Sequence, residues 1–417
     1  MNKNNKLIPS LRFPEFQNDG EWVEKKLGEV GEFRGSGVDK KIKPKEELVM
    51  LLNYMDVYRK NFIFKNDLKQ QTSATNEKIE KCNIKKGDIF FTPTSETPDD
   101  IAQSAVAVED IPNGVYSYHL IRLRLKENWD LKFRTYIFKT NSFFKKVSKL
   151  AQGSGTRYVI TMPVFNSLKI PIPSLPEQQK IADFLSNLDE LIAAHKQKLE
   201  LLKQHKKGLM QKLFPQEGKK LPEWRFPEFK DSGEWVEKVL SKVANYENGK
   251  AHEKNIDENG EYIVVNSKYI SSDGETVKYS NKAFCLAEQG DILMVLSDVP
   301  NGKAIAKCFY VPVNNKYTVN QRICKISSYD CDNKFLIYIL NRNKYFLAFD
   351  DGVKQTNLKK DDVLNAPLLF PKDIKEQQKI TSFLSNLDEL ITAQAEKIEQ
   401  LERHKKGLMQ RMFPEIN

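Results

Sequence analysis

Catalysis needs particular side chains at particular spacings, and this chain offers few of them. It contains no Gly-x4-Gly-Lys-Ser/Thr phosphate loop and no His-Glu-x-x-His metal pair. The Asn/Asp-Pro-Pro-aromatic tetrad that holds an extruded adenine is also missing. Ser297-Asp298-Val299-Pro300 comes nearest, without the first proline or the stacking ring. Pro98-Asp99-Asp100 pairs two carboxylates, but no Glu-x-Lys follows to complete a metal-dependent nuclease site, so it reads as a turn. Five histidines, at 119, 195, 205, 252 and 404, leave little material for imidazole chemistry. His205 and His404 fall near helix C-termini, where a dipole or partner role is expected. The five cysteines (Cys82, Cys285, Cys308, Cys324, Cys331) are odd in number and lack Cys-x-x-Cys spacing, the pattern of reduced cytosolic thiols and not of a disulfide or zinc framework. The chain is therefore expected to be non-catalytic and to hold neither metal nor cofactor of its own.

Binding chemistry is better supplied. Lysine and arginine number 66 against 56 acidic residues, giving a net charge of +10 and a pI near 9.0, a balance that suits a polyanionic partner such as nucleic acid. Glycine-containing loops carry the candidate contacts. Arg34 and Ser36 lie in Arg34-Gly35-Ser36-Gly37, and Thr92, Thr94 and Ser95 in a second loop. Arg157 and Tyr158 close Gly153-Ser-Gly-Thr-Arg-Tyr158, where the glycines would let backbone approach a duplex and Arg157 reach phosphate or guanine. Later in the chain Lys250 follows Asn248-Gly249, Asn301 and Lys303 flank Gly302, and Lys354, Gln355 and Asn357 follow Gly352. Each loop reads equally as a DNA contact or as a solvated turn.

Two helical stretches must position whatever these loops do. Residues 177–215 and 376–414 align without a gap at an offset of 199, with 27 of 39 positions identical. Ser174 with Glu177, and Asp373 with Glu376, have capping-box spacing, and Phe–Pro ends each stretch. Apolar residues recur in steps of four and three: Ile181, Leu185, Leu188, Ile192, Leu199, Leu202, Leu209 and Leu213, then Ile380, Leu384, Leu387, Ile391, Ile398, Leu401, Leu408 and Met412. That 3.5-residue period predicts a coiled-coil seam. The plainer alternative is a pair of unrelated amphipathic helices, each lying on its own core. The seam is broken at matching places, by His195 and Gln394 and by Lys206 and Lys405. Gly208 and Gly407 predict a close helix approach or a late bend. A run of some 38 residues at about 1.5 Å each makes a rod roughly 57 Å long.

The duplication reaches further. Arg12-Phe-Pro-Glu-Phe16 and Gly20-Glu-Trp22 recur as Arg225-Phe-Pro-Glu-Phe229 and Gly233-Glu-Trp235. Their aromatic residues read as a small clasp, with core packing favoured over a nucleic-acid platform. Between opening motif and helix lie globular stretches, roughly 27–173 and 240–371, that share layout far more than sequence. Both have a Gly-Asp-Ile strand start (Gly87–Ile89, Gly290–Ile292), a later strand (His119–Leu125, Asn320–Ile326) and a short helical pattern (Phe133–Leu150, Lys334–Phe349). The expected fold is α+β, two similar domains separated by two long antiparallel coiled-coil helices, with pseudo-two-fold duplication. Expected limits are 1–173 for the first domain, 174–215 for its helix, 216–371 for the second domain and 372–417 for its helix. No run of 18 apolar residues predicts a membrane span, and the start lacks the apolar core of a signal peptide, so a cytoplasmic protein is expected.

Two divergent domains, each ended by a near-identical helix bearing EQQKIADFLSNLDELI and a HKKGLMQ tail, resemble the specificity subunit of a type I restriction–modification enzyme. The opening RFPEF…GEWVEKKLGEV and the GSGTRYVI loop leading into PIPSLPEQQKI are similar to the same family, and the likeness covers essentially the whole chain. It implies that each globular domain is a target-recognition domain reading half of an asymmetric, bipartite sequence in double-stranded DNA. It implies that the helices set the unread spacer and dock two methyltransferase subunits, which use S-adenosylmethionine to methylate adenine N6. Two restriction subunits, ATP-dependent motors and nucleases working with Mg, complete such an enzyme. The alternative from a different class is a non-catalytic coiled-coil adaptor presenting two protein-binding domains.

Overall fold

The computed structural model describes residues 6–300 and 302–415. The chain divides into two compact units, Met1–Gln197 with Ala395–Asn417, and Lys198–Gln394. Both long stretches are single helices of 39 residues, α1 (Leu175–Leu213) and α2 (Ile374–Met412). Each helix thus contributes one part to each unit, and the first unit joins two separate stretches of chain while the second is one continuous stretch.

In the first unit a five-stranded sheet runs in the order Gly31–Arg34, Ile121–Leu125, Ile89–Phe91, Ser104–Ala107, Phe62–Ile63. A four-stranded sheet runs Gln70–Ala74, Glu47–Leu52, Ile111–Tyr116, Asn83–Ile84. Val23–Lys26 pairs antiparallel with Lys169–Ile172, tying the opening of the domain to the strand that leads into α1. A third small sheet joins β1 (Thr94–Ser95), β2 (Gln152–Ser154) and β3 (Arg157–Val159), with β3 in the middle.

The second unit repeats this plan. One sheet runs Ala244–Asn248, Ile323–Ser328, Ile292–Val295, Cys308–Tyr310, and another Tyr279–Ser280, Tyr262–Val265, Tyr317–Val319, Leu286–Ala287. Val236–Val239 pairs with Pro367–Phe370, and β4 (Ser297–Asp298) pairs with β5 (Thr356–Asn357). The Gly-Asp-Ile strand starts are used as the sequence implies. The buried Asp88 caps its turn by accepting from Lys85 N–H at 2.8 Å, and Asp291 accepts from Glu288 N–H at 2.8 Å. The predicted later strands are shorter than expected: pairing begins at Ile121 and Ile323, leaving residues 117–120 and 320–322 as turns.

Within each unit the helix segments run antiparallel. In the first, Lys196 bonds Glu402 at 2.6 Å and Lys405 bonds Asp189, while Ile181, Leu185, Met412 and Phe413 share one core. In the second, Lys206 bonds Asp388, and Leu213, Ile380 and Leu384 share one core. Among the seam residues, Ile181, Leu185, Ile192, Leu213, Ile380, Leu384, Ile398 and Met412 are buried, and Leu188, Leu199, Leu202, Leu209, Leu387, Ile391, Leu401 and Leu408 are half-buried. Gly208 and Gly407 have open space where a Cβ would sit, so no close approach explains them.

The aromatic clasp is core. Trp22 packs edge-on to Phe133 and Phe413 at centroid distances of 6.4 and 5.8 Å, and Trp235 meets Phe214 and Phe335 at 6.1 and 5.8 Å. Leu11 N–H donates to the Arg411 carbonyl at 2.9 Å, and Trp224 N–H to that of Lys212 at 2.9 Å. The opening motif of each repeat thus closes over the end of the helix from the other repeat. Glu177 and Glu376 do not act as capping-box partners. Each takes a bidentate guanidinium, Glu177 from Arg12 at 2.8 and 2.7 Å and Glu376 from Arg225 at 2.7 and 2.7 Å.

Candidate nucleic-acid interface

In the first unit the folded chain gathers loops that lie far apart in sequence. Tyr158 stands opposite Ser95, and Val159 opposite Thr94, so the hairpin carrying Arg157 is laced to the 92–95 loop. The hairpin depends on glycine. Gly153 has φ +148°, and a Cβ there would lie 2.2 Å from the Arg157 carbonyl oxygen. Arg157 is exposed at its tip and Tyr158 half-buried behind it. Beside this sheet opens a cleft of about 540 Å³, lined by Arg34, Ser36, Pro93, Tyr118, Ile160, Phe33 and Met162. Arg34 and Ser36 thus line the cleft, while Thr94, Ser95, Arg157 and Tyr158 belong to the adjoining sheet. Thr92, between the strands Ile89–Phe91 and Thr94–Ser95, is fully buried, with its hydroxyl 3.5 Å from the Gln103 carbonyl. Arg34 is partly spent on structure, with its guanidinium at 3.4 Å from Glu32 and 3.5 Å from the Lys81 carbonyl.

The second unit brings together the corresponding segments. Ser297 stands opposite Asn357 and Asp298 opposite Thr356, and Gln355 Nε2 donates to the Ser297 hydroxyl at 2.6 Å. Lys354, Gln355 and Asn357 are exposed, as are Lys250 and Lys303. Asn301 lies outside the described residues. The residues nearest to a methyltransferase tetrad hold a turn instead. The Asp298 carboxylate accepts the backbone N–H groups of Val299, Ala304 and Ile305 at 2.9, 2.6 and 3.1 Å. His252 is buried, with Nδ1 2.6 Å from the Lys250 carbonyl and Nε2 2.9 Å from the Thr318 hydroxyl, and burial pushes its pKa down. Among the described residues no cluster of His, Cys, Asp and Glu could hold a metal ion, and no helix is long and apolar enough to cross a membrane.

Each interface is fastened to the helices by a polar trio. Asp189 on α1 accepts the Tyr136 hydroxyl at 2.9 Å and pairs with Lys405 of α2, whose ammonium lies 5.5 Å from the Tyr136 ring centroid. Asp388 on α2 accepts the Tyr338 hydroxyl at 2.8 Å and pairs with Lys206 of α1, 5.0 Å from the Tyr338 ring. Lys405 and Lys206 are the interruptions of the apolar seam, so a flaw in the sequence period marks the attachment of a globular domain to the helix pair. Lys139 adds to the first trio. It donates to the Lys60 carbonyl and to Asn61, and burial with the nearby Lys405 charge pushes its pKa down to about 8.

A duplicated α+β unit with a variable loop face and a constant helix pair is a specific combination. The family model for the type I restriction modification DNA specificity domain matches residues 19–204 and again 232–403, most of the chain. The chain belongs to the type I restriction–modification specificity family. Two similar relatives come from Methanocaldococcus jannaschii. The type I restriction enzyme MjaVIII specificity subunit is 28% identical over 315 residues, 71% of this chain and 72% of the relative. The putative MjaX specificity subunit is 26% identical over 347 residues, 80% of this chain and 79% of the relative. The crystal structure of a type I restriction–modification S subunit from M. genitalium shares the fold, with a TM-score of 0.59 at 17% identity over 98% of this chain and all of that one. A chain from a structural study of the assembly and conformational transition of the type I system matches with a TM-score of 0.59 at 16% identity, over 95% of this chain and 98% of that one. This specificity subunit thus carries two DNA-recognition domains of the family.

His119, Gln321 and Arg322 fall within the strands predicted at His119–Leu125 and Asn320–Ile326, and Tyr118 just before the first; in the structure all four lie in turns.

Proposed function

We propose that this specificity subunit reads a bipartite, asymmetric DNA target, one half-site through each globular domain. The observation that carries this reading is the repeated loop ladder with different side chains on it. One copy presents Thr94, Ser95, Arg157 and Tyr158, the other Lys354, Gln355 and Asn357 above the buried Ser297. A constant frame with changed contacts is what two unlike half-sites require. The contact set comprises Arg34, Ser36, Thr94, Ser95, Arg157 and Tyr158, then Lys250, Asn301, Lys303, Lys354, Gln355 and Asn357; Thr92 leaves it. The functional division is 1–173, 174–215, 216–371 and 372–417, recognition domains alternating with spacer helices. A helix roughly 57 Å long covers somewhat more than one and a half turns of duplex at about 34 Å per turn, which suits two half-sites with an unread spacer. The helices dock two methyltransferase subunits, whose S-adenosylmethionine supplies the methyl for adenine N6, and through them two restriction subunits using ATP and Mg. The chain itself contributes recognition without a catalytic residue, in the cytoplasm.

Methylome sequencing of a host expressing this chain with its methyltransferase tests the proposal. The expected result is N6-methyladenine in two dissimilar half-sites at one fixed separation. Replacing Arg157 with Ala should weaken binding about tenfold or more, given ~1–3 kcal/mol for a good base contact. Methylation unchanged by the presence of the chain, or a continuous palindromic site, would overturn it.

A further inference from the structure

The frame around the interface includes one more repeated feature. In the first unit residues 117–120 form a turn closed by Leu120 N–H to the Ser117 carbonyl at 3.0 Å. In the second, Ile323 N–H donates to the Asn320 carbonyl at 3.0 Å. Each turn leaves the end of the strand before it in the same way. Ser117 N–H meets the Leu52 carbonyl at 2.9 Å, and Asn320 N–H that of Val265 at 3.0 Å. Each is also clamped from the side by a glycine loop. A Cβ on Gly37 would lie 2.3 Å from the Ser117 carbonyl carbon, and one on Gly249 would lie 2.0 Å from the Asn320 carbonyl oxygen. Backbone position is therefore fixed twice over in both units.

The side chains on this fixed frame differ. The first turn carries Tyr118, half exposed, and His119, their rings 4.0 Å apart. Burial and the charges of Lys40 and Arg157 push the His119 pKa down, so at neutral pH the ring has one donor and one acceptor. The second turn carries Gln321 and Arg322, both exposed. Gln321 Nε2 donates to Glu253 at 3.1 Å, whereas the Arg322 guanidinium has no side-chain partner among the described residues. Both turns border the loop ladder. Tyr118 shares its cleft with Pro93, next to β1, and the Arg322 carbonyl accepts Leu296 N–H at 2.9 Å, next to β4.

We propose that these two turns are base-reading elements, with Tyr118 and His119 meeting base edges in one half-site and Arg322 taking a guanine in the other. This rests on the half-site reading above and adds residues to it. A rigid backbone displaying unlike polar side chains beside a basic hairpin is suited to direct readout, since positioning comes from the frame and discrimination from the tips. Arginine is the side chain matched to guanine O6 and N7, and an unpaired, exposed one is free to make that fork.

The test is selection from a pool of randomised duplexes by the full chain, wild type and three variants: R322A, R322K and the double Y118A/H119A. The wild type should enrich a two-part motif. R322A should recover that motif with one guanine position degenerate, its preference there reduced tenfold or more, and the other half unchanged. R322K, which keeps the charge but replaces the planar fork with a point donor, should show a weakened preference at that same position. Y118A/H119A should relax a position in the opposite half only. All three variants recovering the wild-type motif would overturn the inference, as would R322A weakening every sequence equally. A wild-type chain that enriches no motif would instead remove the half-site reading, and this inference with it.

Discussion

Removing Arg12 should damage the first unit far more than its place near the chain start suggests. Arg12 and Glu177 have side chains only 6% and 1% exposed, and the guanidinium also donates to the Gly20 carbonyl at 2.6 Å. R12A would leave the Glu177 carboxylate buried at the first turn of α1 without its fork, a loss on the order of 3–5 kcal/mol. Arg225 and Glu376 make the same pair, but Glu376 also accepts the Trp235 indole N–H at 3.3 Å, whereas the Trp22 indole nitrogen is buried without a partner. R225A should therefore cost less than R12A by about 1.5 kcal/mol, the low end for a hydrogen bond to a charged group, as suits a 3.3 Å contact. Replacing both partners with apolar residues, R12M/E177M, removes the stranded charge and should restore most of the loss. Because two units do not unfold as one transition, hydrogen exchange is the suitable assay, comparing amides of residues 178–192 with those of 377–391 in the same sample. R12A should accelerate the first set and spare the second; R225A should do the reverse, more weakly. Equal protection in R12A and wild type would refute the argument, as would a double variant no better than R12A.

Two further outcomes follow from single contacts. Lys139, with its pKa pushed down to about 8 in the folded chain against an ordinary lysine value of 10.5, binds fewer protons folded than unfolded between those values, so the stability of the first unit should rise as pH goes from about 8 to 10.5; K139M should flatten that rise in a pH series of thermal scans. G249A forces a Cβ against the Asn320 carbonyl, so the turn at 320–323 must move, and DNA affinity of the full chain should fall severalfold in a filter-binding titration while circular dichroism stays unchanged.

Local signals were legible in the sequence where local physics decides. The 3.5-residue period located both helices because a seam repeats wherever the helix goes, and Phe–Pro marked their ends because proline cannot continue the ladder. The Gly-Asp-Ile starts worked for the same reason, since the aspartate caps its own turn three residues back. What the sequence hid is long-range. Nothing near residue 12 says that Glu177 is its partner, and nothing near Thr94 says that Val159 lies opposite. Thr92 looked like its neighbours Thr94 and Ser95, and only the packing of the chain over it separates a core hydroxyl from the more exposed ones. An amphipathic helix announces that it packs, not which segment covers it, so the discontinuous make-up of the first unit was out of reach.

That discontinuity makes the first unit depend on the last residues to be synthesised. Phe413 lies 5.8 Å from the Trp22 ring and 5.9 Å from that of Phe133, and Met412 fills the same core. The second unit draws only on residues 198–394. The first, although its N-terminal part is translated earlier, cannot cover its indole until residues 395–413 have been made. A nonsense codon a few residues before Met412 would therefore unseal the unit that holds the opposite end of the polypeptide.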